Sequence, residues 1–420
     1  LRAPTAIERS EVVARGPPAD IGSRLDIGTI SRTGVREGKM RFSVLLAGLA
    51  TSFAFSSPVL ADGQSDLDQC KFVGEISKAD QGIAACDRVI QDTKVTGANR
   101  AAALSNRCGW WWAKKEPDRA LSDCNEAIRV ASSYAPAYIN RGNAYLSKGD
   151  FEHAFGDFNE AIQLDPKSAW AYSERGDLYK AKGEFDHALA DFNQAIQLDP
   201  NYAIAYFFRG DLYKRMGDFD RAMTDLNESI RLDPNYAKAY FIRGRLSYMK
   251  GSNPGAIDDY NRVIQLDAGD SFAYFNRGVA YFLLGGRTAD AQADFKKANE
   301  INPKDAYTAL WLDLTERRNG VPSRLAETSK QLDMKAWPAP IVRQYLGEVS
   351  IAQTVAAAAD QDPKKQAEQT CEANFYSGEL ALLNKKTKPE ATRLLKLAAK
   401  ECPLEYVEST AAISEAILNR

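Results

Sequence analysis

An all-α stack of helical hairpins is the fold class this sequence predicts, on three observations. Residues 135–270 fall into four rows of 34, each opened by alanine (Ala135, Ala169, Ala203, Ala237), and a fifth row follows with one residue inserted. Small residues keep fixed places in the rows: glycine at position 8 (Gly142, Gly176, Gly210, Gly244) and alanine at position 20 (Ala154, Ala188, Ala222, Ala256). Asp-Pro closes three rows, at Asp165-Pro166, Asp199-Pro200 and Asp233-Pro234, where proline ends a helix because it lacks the N–H the next turn requires. A fixed period of this length marks a chain of like supersecondary units.

One row shows the unit. In 169–202 the apolar residues Trp170, Tyr172, Leu178 and Tyr179 recur at helical spacing until Gly183-Glu184 breaks the run. A second helical run carries Phe185, Ala188, Leu189, Phe192, Ala195, Ile196 and Leu198 before Pro200 stops it. Gly176 and Ala188 are small because two helix backbones approach there. One hairpin cannot bury its own apolar faces, so neighbours must stack into a curved solenoid with a concave groove. The period of 34, with an aromatic at position 4, small residues at 8 and 20 and proline at 32, is the tetratricopeptide signature, which implies a right-handed α-α superhelix.

The rows set the expected boundaries. Ahead of them, 1–39 is rich in Arg, Gly and Pro without sustained periodicity and reads as a mis-called leader without order. Residues 40–61 read as a secretory segment: Lys39 and Arg41 supply positive charge, 44–55 are mostly apolar, and Val59-Leu60-Ala61 offers a small residue for cleavage near Ala61. The run is short for a bilayer span, and no other stretch reaches the ~18 apolar residues a spanning helix needs. The solenoid is expected over 62–304, as a degenerate hairpin at 63–92 and rows at 101–134, 135–168, 169–202, 203–236, 237–270 and 271–305. A helical region over 305–420 ends in a repeat-like hairpin at 371–404 and a last helix at 411–418. A formal net charge of −2 with no basic stripe gives no reason to expect nucleic acid.

Six cysteines fall as Cys70 and Cys86, Cys108 and Cys124, Cys371 and Cys402. Cys108 and Cys124 occupy row positions 8 and 24, which lie side by side in an antiparallel hairpin that turns near 16. The equal spacing of Cys70 and Cys86 places them across the earlier hairpin, and Cys371 and Cys402 close the open end of the last. Three disulfides, each within one hairpin, fit an exported chain and a periplasmic location; buried free thiols at the same core positions are the alternative.

Every full row also carries Arg at position 7 and Asp at position 23, from Arg107 and Asp123 to Arg277 and, past the insertion, Asp294. The arginines could form a ladder for an anion, but the co-occurring aspartates favour structural ion pairs. His153 and His187 share row position 19 and read as solvent-facing copies of one site, since a metal needs converging ligands. The tetratricopeptide resemblance implies that positions 2, 5, 9 and 12 face the groove. Its candidate partner-binding residues are Trp170, Asp177 and Lys180; Phe207, Asp211 and Lys214; Phe241, Arg245 and Tyr248; and Phe272, Phe275 and Phe282. A surface of mixed aromatic and charged residues suits an extended peptide or a partner helix, although packing between rows would explain some of these aromatics equally well.

Beyond Pro303 the pattern loosens into a helix around Trp311-Leu312, then Trp337-Pro338, Tyr345-Leu346-Gly347, and Asn374-Phe375-Tyr376-Ser377-Gly378-Glu379. This order resembles the C-terminal part of the NlpI-type family of bacterial envelope tetratricopeptide lipoproteins. The resemblance implies a non-enzymatic adaptor that docks a periplasmic processing protease and cell-wall hydrolases, and it permits a homodimer. No cysteine follows the expected cleavage point to accept a lipid. No phosphate loop, Gly-x-Ser-x-Gly, His-Glu-x-x-His or dinucleotide fingerprint occurs, so no enzyme activity, cofactor or metal is expected. The competing reading is a module for envelope polysaccharide or its assembly machinery, with Trp170, Phe207, Phe241 and Phe275 stacking on sugar rings. Counting thiols in the denatured, unreduced protein tests the cysteine pairing: none is expected, and six would remove both the pairing and the argument for export.

Overall fold

The computed structural model describes residues 61–72, 78–383, 387–402 and 411–412. The leader expected over 1–39, the secretory segment apart from Ala61, and most of the last helix lie outside the described residues. Among the described residues there is no strand, and the helices follow one another in pairs. The hairpins are α1 (Ala61–Cys70) with α2 (Ala79–Gln91), α3 (Gly97–Ala113) with α4 (Pro117–Val130), and α5 (Ala135–Lys148) with α6 (Phe151–Leu164). Then come α7 (Ala169–Lys182) with α8 (Phe185–Leu198), α9 (Ala203–Arg215) with α10 (Phe219–Leu232), α11 (Ala237–Met249) with α12 (Asn253–Leu266), and α13 (Ser271–Leu283) with α14 (Thr288–Ile301). The chain continues through α15 (Ala306–Arg318), the short α16 (Leu325–Thr328), a 3₁₀ turn (Ser329–Gln331), α17 (Ala339–Tyr345) and α18 (Ile351–Ala356) to a closing hairpin of α19 (Pro363–Leu382) and α20 (Lys388–Glu401). The fold is a right-handed α-α superhelix.

Local chemistry sets the turns. The residue at row position 15, in the turn after the first helix, takes a left-handed conformation, with φ of 79° at Gly149, 80° at Gly183 and 79° at Gly217, where glycine escapes the Cβ clash. Lys115 fills the same place in row 101–134 with φ of 63°. At the row ends the aspartate before proline folds back on the backbone: Asp165 accepts from the Lys167 N–H at 3.1 Å, and Asp199 from the Asn201 N–H at 3.0 Å. The closing hairpin begins at Pro363 rather than at Cys371. Asp362 accepts from the Lys364 N–H at 2.9 Å and Pro363 stands in the first turn, where it has no N–H to lose.

Within a hairpin the glycine at position 8 lies against the residue at position 24. A Cβ on Gly142 would meet the Phe158 ring at 2.5 Å, and one on Gly176 the Phe192 ring at 2.7 Å. In row 101–134 the same two positions hold Cys108 and Cys124, bonded with Cα atoms 5.5 Å apart. Cys70–Cys86 and Cys371–Cys402 are bonded across the first and last hairpins, so all six cysteines are paired.

Between hairpins the arginine at position 7 acts as a clamp. Arg209 donates from Nε and Nη2 to both oxygens of Asp225 at 2.8 Å, joining α9 to α10, and from Nη1 to Asn193 of α8 at 2.7 Å. The arrangement recurs with Arg141, Asp157 and Asn125; Arg175, Asp191 and Asn159; Arg243, Asp259 and Asn227; and Arg277, Asp294 and Asn261. Arg107 reaches Asp123 and, in place of the asparagine, Asp87. Each guanidinium from Arg141 to Arg277 also lies over the tyrosine at position 4, as Arg209 does over Tyr206 at 5.7 Å. The arginines are therefore structural, and the asparagine two residues past each aspartate is the partner that the row pattern alone did not disclose.

The last third packs onto Trp311. Its fully buried indole meets Phe282 at 5.1 Å, Phe295 at 5.5 Å and Phe375 at 5.6 Å between centroids. Glu372 of α19 accepts from the Tyr307 hydroxyl at 2.5 Å and the Trp337 indole at 2.6 Å, and the Tyr345 hydroxyl donates to the Tyr376 carbonyl at 2.9 Å. The Trp-Leu, Trp-Pro, Tyr-Leu-Gly and Asn-Phe-Tyr segments thus form one core.

The clamp predicts a specific energetic pattern. Side-chain exposure is 20% for Arg209 and 7% for Asp225, so Arg209→Met strands a buried carboxylate and is expected to cost about 3 kcal/mol of stability. The double change Arg209→Met with Asp225→Leu should recover most of that loss in urea unfolding. Equal loss in both variants would contradict the assignment.

Candidate functional site

The inner face of the superhelix is built by the first helix of each hairpin. Successive first helices touch one another, α3 with α5, α5 with α7, α7 with α9, α9 with α11 and α11 with α13, because they run along the short arc of the curve. That crowding decides the fate of the residues expected to line an open groove. Phe207, Phe241, Phe275 and Phe282 are buried, with Phe241 2% exposed, and Lys180, Arg245 and Tyr248 are buried with them. Phe207 packs edge-on against Tyr236 at 5.0 Å, Phe241 against Tyr260 at 5.8 Å, and Phe275 and Phe282 against Trp311. These rings pack into the core and present no open face. Trp170, Asp177, Asp211, Lys214 and Phe272 are partly exposed.

What the inner face does bring together is a set of charges from three consecutive first helices. Lys180 reaches Asp177 of its own helix at 2.7 Å and Asp211 of α9 at 2.9 Å, and Lys214 reaches Asp211 at 2.8 Å. Burial disfavours the Asp211 carboxylate, but the two ammonium groups outweigh it and hold its pKa well below the usual range. Burial likewise works against the Lys180 ammonium, while Asp177 and Asp211 hold its pKa above the ordinary lysine value. Glu174, one turn before Asp177 along α7, accepts from the Trp170 indole at 2.9 Å. Burial, and then the like charge of Asp177, push its carboxyl up to about 7. Lys238 of α11 faces Asp177 and Glu174; burial brings its ammonium down to about 8 against their pull.

Glu174, Tyr202 and Tyr236 belong to this site and were not singled out from the sequence. The available signal was a mismatch within the rows: Glu174 occupies position 6, which holds Phe208 and Ile242 in the next two rows. Positions 9 and 12 change along the stack in the same way, from Asp177 and Lys180, through Asp211 and Lys214, to Val279 and Phe282. The charged stretch of the inner face is therefore confined to its middle. Among the described residues no cluster of His, Cys, Asp and Glu is arranged to hold a metal ion. His153 and His187 stand on the exposed edge, each beside the acid three residues earlier and a tyrosine ring.

Similarity to known proteins runs along the same repeats. Models of the TPR repeat match residues 142–183 and 176–217, and models of the tetratricopeptide repeat match 209–271 and 273–305. The Lipoprotein NlpI homolog of Haemophilus influenzae is 32% identical over 132 residues, a match spanning 30% of this chain and 42% of that relative. Among solved structures, the APC/C hetero-tetramer Cut9-Hcn1 shares the fold, with a TM-score of 0.52 at 15% identity over 67% of this chain and 54% of that one. YrrB, described as a TPR protein with an unusual peptide-binding site, is 26% identical with a TM-score of 0.35 over 44% of this chain and 95% of its own. Among the described residues no helix is long and apolar enough to cross a membrane.

The two displaced pKa values give the site a stability signature. Glu174 binds its proton more tightly folded than unfolded, so its contribution falls as pH rises from its ordinary 4.5 to about 7. Lys238 binds its proton less tightly folded, so stability rises again between about 8 and its ordinary 10.5. Thermal melts of Glu174→Gln are expected to match the parent below pH 4.5 and to lie several degrees above it at pH 7.5. Curves that stay parallel across this range would contradict the assignment.

Proposed function

We propose that this chain, a tetratricopeptide repeat protein resembling the NlpI-type envelope lipoproteins, works as a non-enzymatic periplasmic adaptor that binds partner proteins along the inner face of its superhelix. The observation that carries this reading is the charged middle of that face. Folding does not demand charge there, since the row 271–305 fills positions 9 and 12 with Val279 and Phe282. A buried Glu174 with its pKa pushed up and a Lys238 with its pKa pushed down are costs of the folded state, and unfavourable groups held in a concave face mark a surface built for a second molecule. In this reading the partners are a processing protease and cell-wall hydrolases, which the adaptor brings together as protease and substrate. Export is supported by the cysteine pairing of three hairpins.

The polysaccharide reading loses three of its four stacking rings, because Phe207, Phe241 and Phe275 are buried, and keeps the partly exposed Trp170. Replacing Phe207 or Phe241 would therefore report on folding more than on binding. Asp177, with 35% of its side chain exposed, is the better probe. The tagged chain, incubated with envelope extract, is expected to retain a protease or wall hydrolase, and Asp177→Trp should abolish that retention while leaving the helical circular dichroism unchanged. Equal retention by the variant would move the partner surface off the inner face.

A further inference from the structure

We propose that the middle of the inner face takes a cationic side chain, a guanidinium or ammonium carried by an extended segment of the partner, between Glu174 and Asp177 and beside Tyr202. This inference rests on the adaptor reading and adds the chemistry of what is recognised.

The bonding already present decides the sign. Lys180 is engaged by Asp177 and Asp211, and Lys214 by Asp211, so these two cations are paired within the wall. The hydrogen bonds that Glu174 accepts come from neutral donors, the Trp170 indole and the Asn143 amide. Asp177, one turn further along the same face of α7, bonds Lys180 through Oδ1 and is the most exposed carboxylate of the set. Two carboxylates thus lie side by side on one helix face, and Lys180, which bonds one of them, is shared with Asp211.

A second observation places a polar partner at the same wall. The Tyr202 hydroxyl, on a side chain 6% exposed, and the Ser173 hydroxyl, fully buried, have no hydrogen-bond partner. Tyr202 stands at the turn before α9 and lies within the field of Glu174 and Tyr236, so its hydroxyl belongs to the same wall. An unpartnered buried hydroxyl is costly, and an incoming N–H donor would meet its lone pairs. The Trp170 ring, half-buried and held beside Glu174 by its own hydrogen bond, offers a π face to a guanidinium.

Lys238 is the built-in competitor. It faces the same two carboxylates from α11, with Lys180 repelling it and Asp211 attracting it. Its lowered pKa means that it can give up its proton when a second cation arrives. Neutralising it should therefore help a cationic ligand and harm an anionic one.

The test uses a fluorescent, end-blocked decapeptide of Ala and Ser with one central Arg, against the same peptide carrying citrulline or Glu. With the full chain, the Arg peptide is expected to bind at least tenfold more tightly than its citrulline counterpart. Glu174→Gln combined with Asp177→Asn should bring it to the citrulline level, and Lys238→Met should tighten it several-fold, with helical circular dichroism unchanged in every variant. Tighter binding of the Glu peptide, equal binding of Arg and citrulline, no binding of the Arg peptide, or an Arg affinity indifferent to the carboxylates would overturn the inference. Envelope proteins still retained by the Glu174→Gln and Asp177→Asn variant would overturn it while leaving the adaptor reading intact. A parent chain that retains no partner would instead remove that reading.

Discussion

Each junction in the superhelix turns on one arginine. A helical hairpin has two apolar faces and no reason of its own to meet its neighbour at a fixed angle, since apolar contact is not directional. The planar guanidinium supplies the direction. Arg209 binds both oxygens of Asp225 in its own hairpin and spends its remaining edge on Asn193 of the preceding one, so the rotation from one hairpin to the next is set by hydrogen bonds whose geometry cannot slide. Repeating that junction from Arg107 to Arg277 builds a regular curve. The curve in turn decides which side chains are crowded on the inside and which are not.

The crowding explains where the sequence was legible and where it was not. Helix order, the small residues at positions 8 and 20, the cysteine pairing and the Arg-Asp partnership were all readable, because each follows from spacing within one row. The asparagine that completes the clamp and the burial of Phe207, Phe241, Phe275 and Phe282 were not. These depend on how close the next first helix comes, a distance that the period alone does not state. The site itself was half visible: Asp177, Lys180, Asp211 and Lys214 emerged from their row positions, whereas Glu174 and Tyr202 entered only when α7, α9 and α11 were brought side by side.

Stability and function divide along the same boundary. Toward the C-terminal end the inner face is filled by the chain itself, with Phe275 and Phe282 closed over by Trp311 and the whole sealed by α19. In the middle the face holds ionisable groups at a cost to the fold. A scaffold that stiffens by arginine clamps on its flank can carry that cost locally, because in a repeat protein each hairpin is held chiefly by its neighbours. The rigid clamp and the strained inner face are thus two consequences of one architecture.

The claim on which the account depends is that partners meet the middle of the inner face. Placing a photo-crosslinking amino acid at Asp177 or Lys214 on that face, and separately at Gln197 or Thr224 on the exposed sides of α8 and α10, tests it in intact cells. The account predicts covalent adducts with partner proteins from the first two positions and not from the second two. Adducts confined to Gln197 and Thr224 would contradict it.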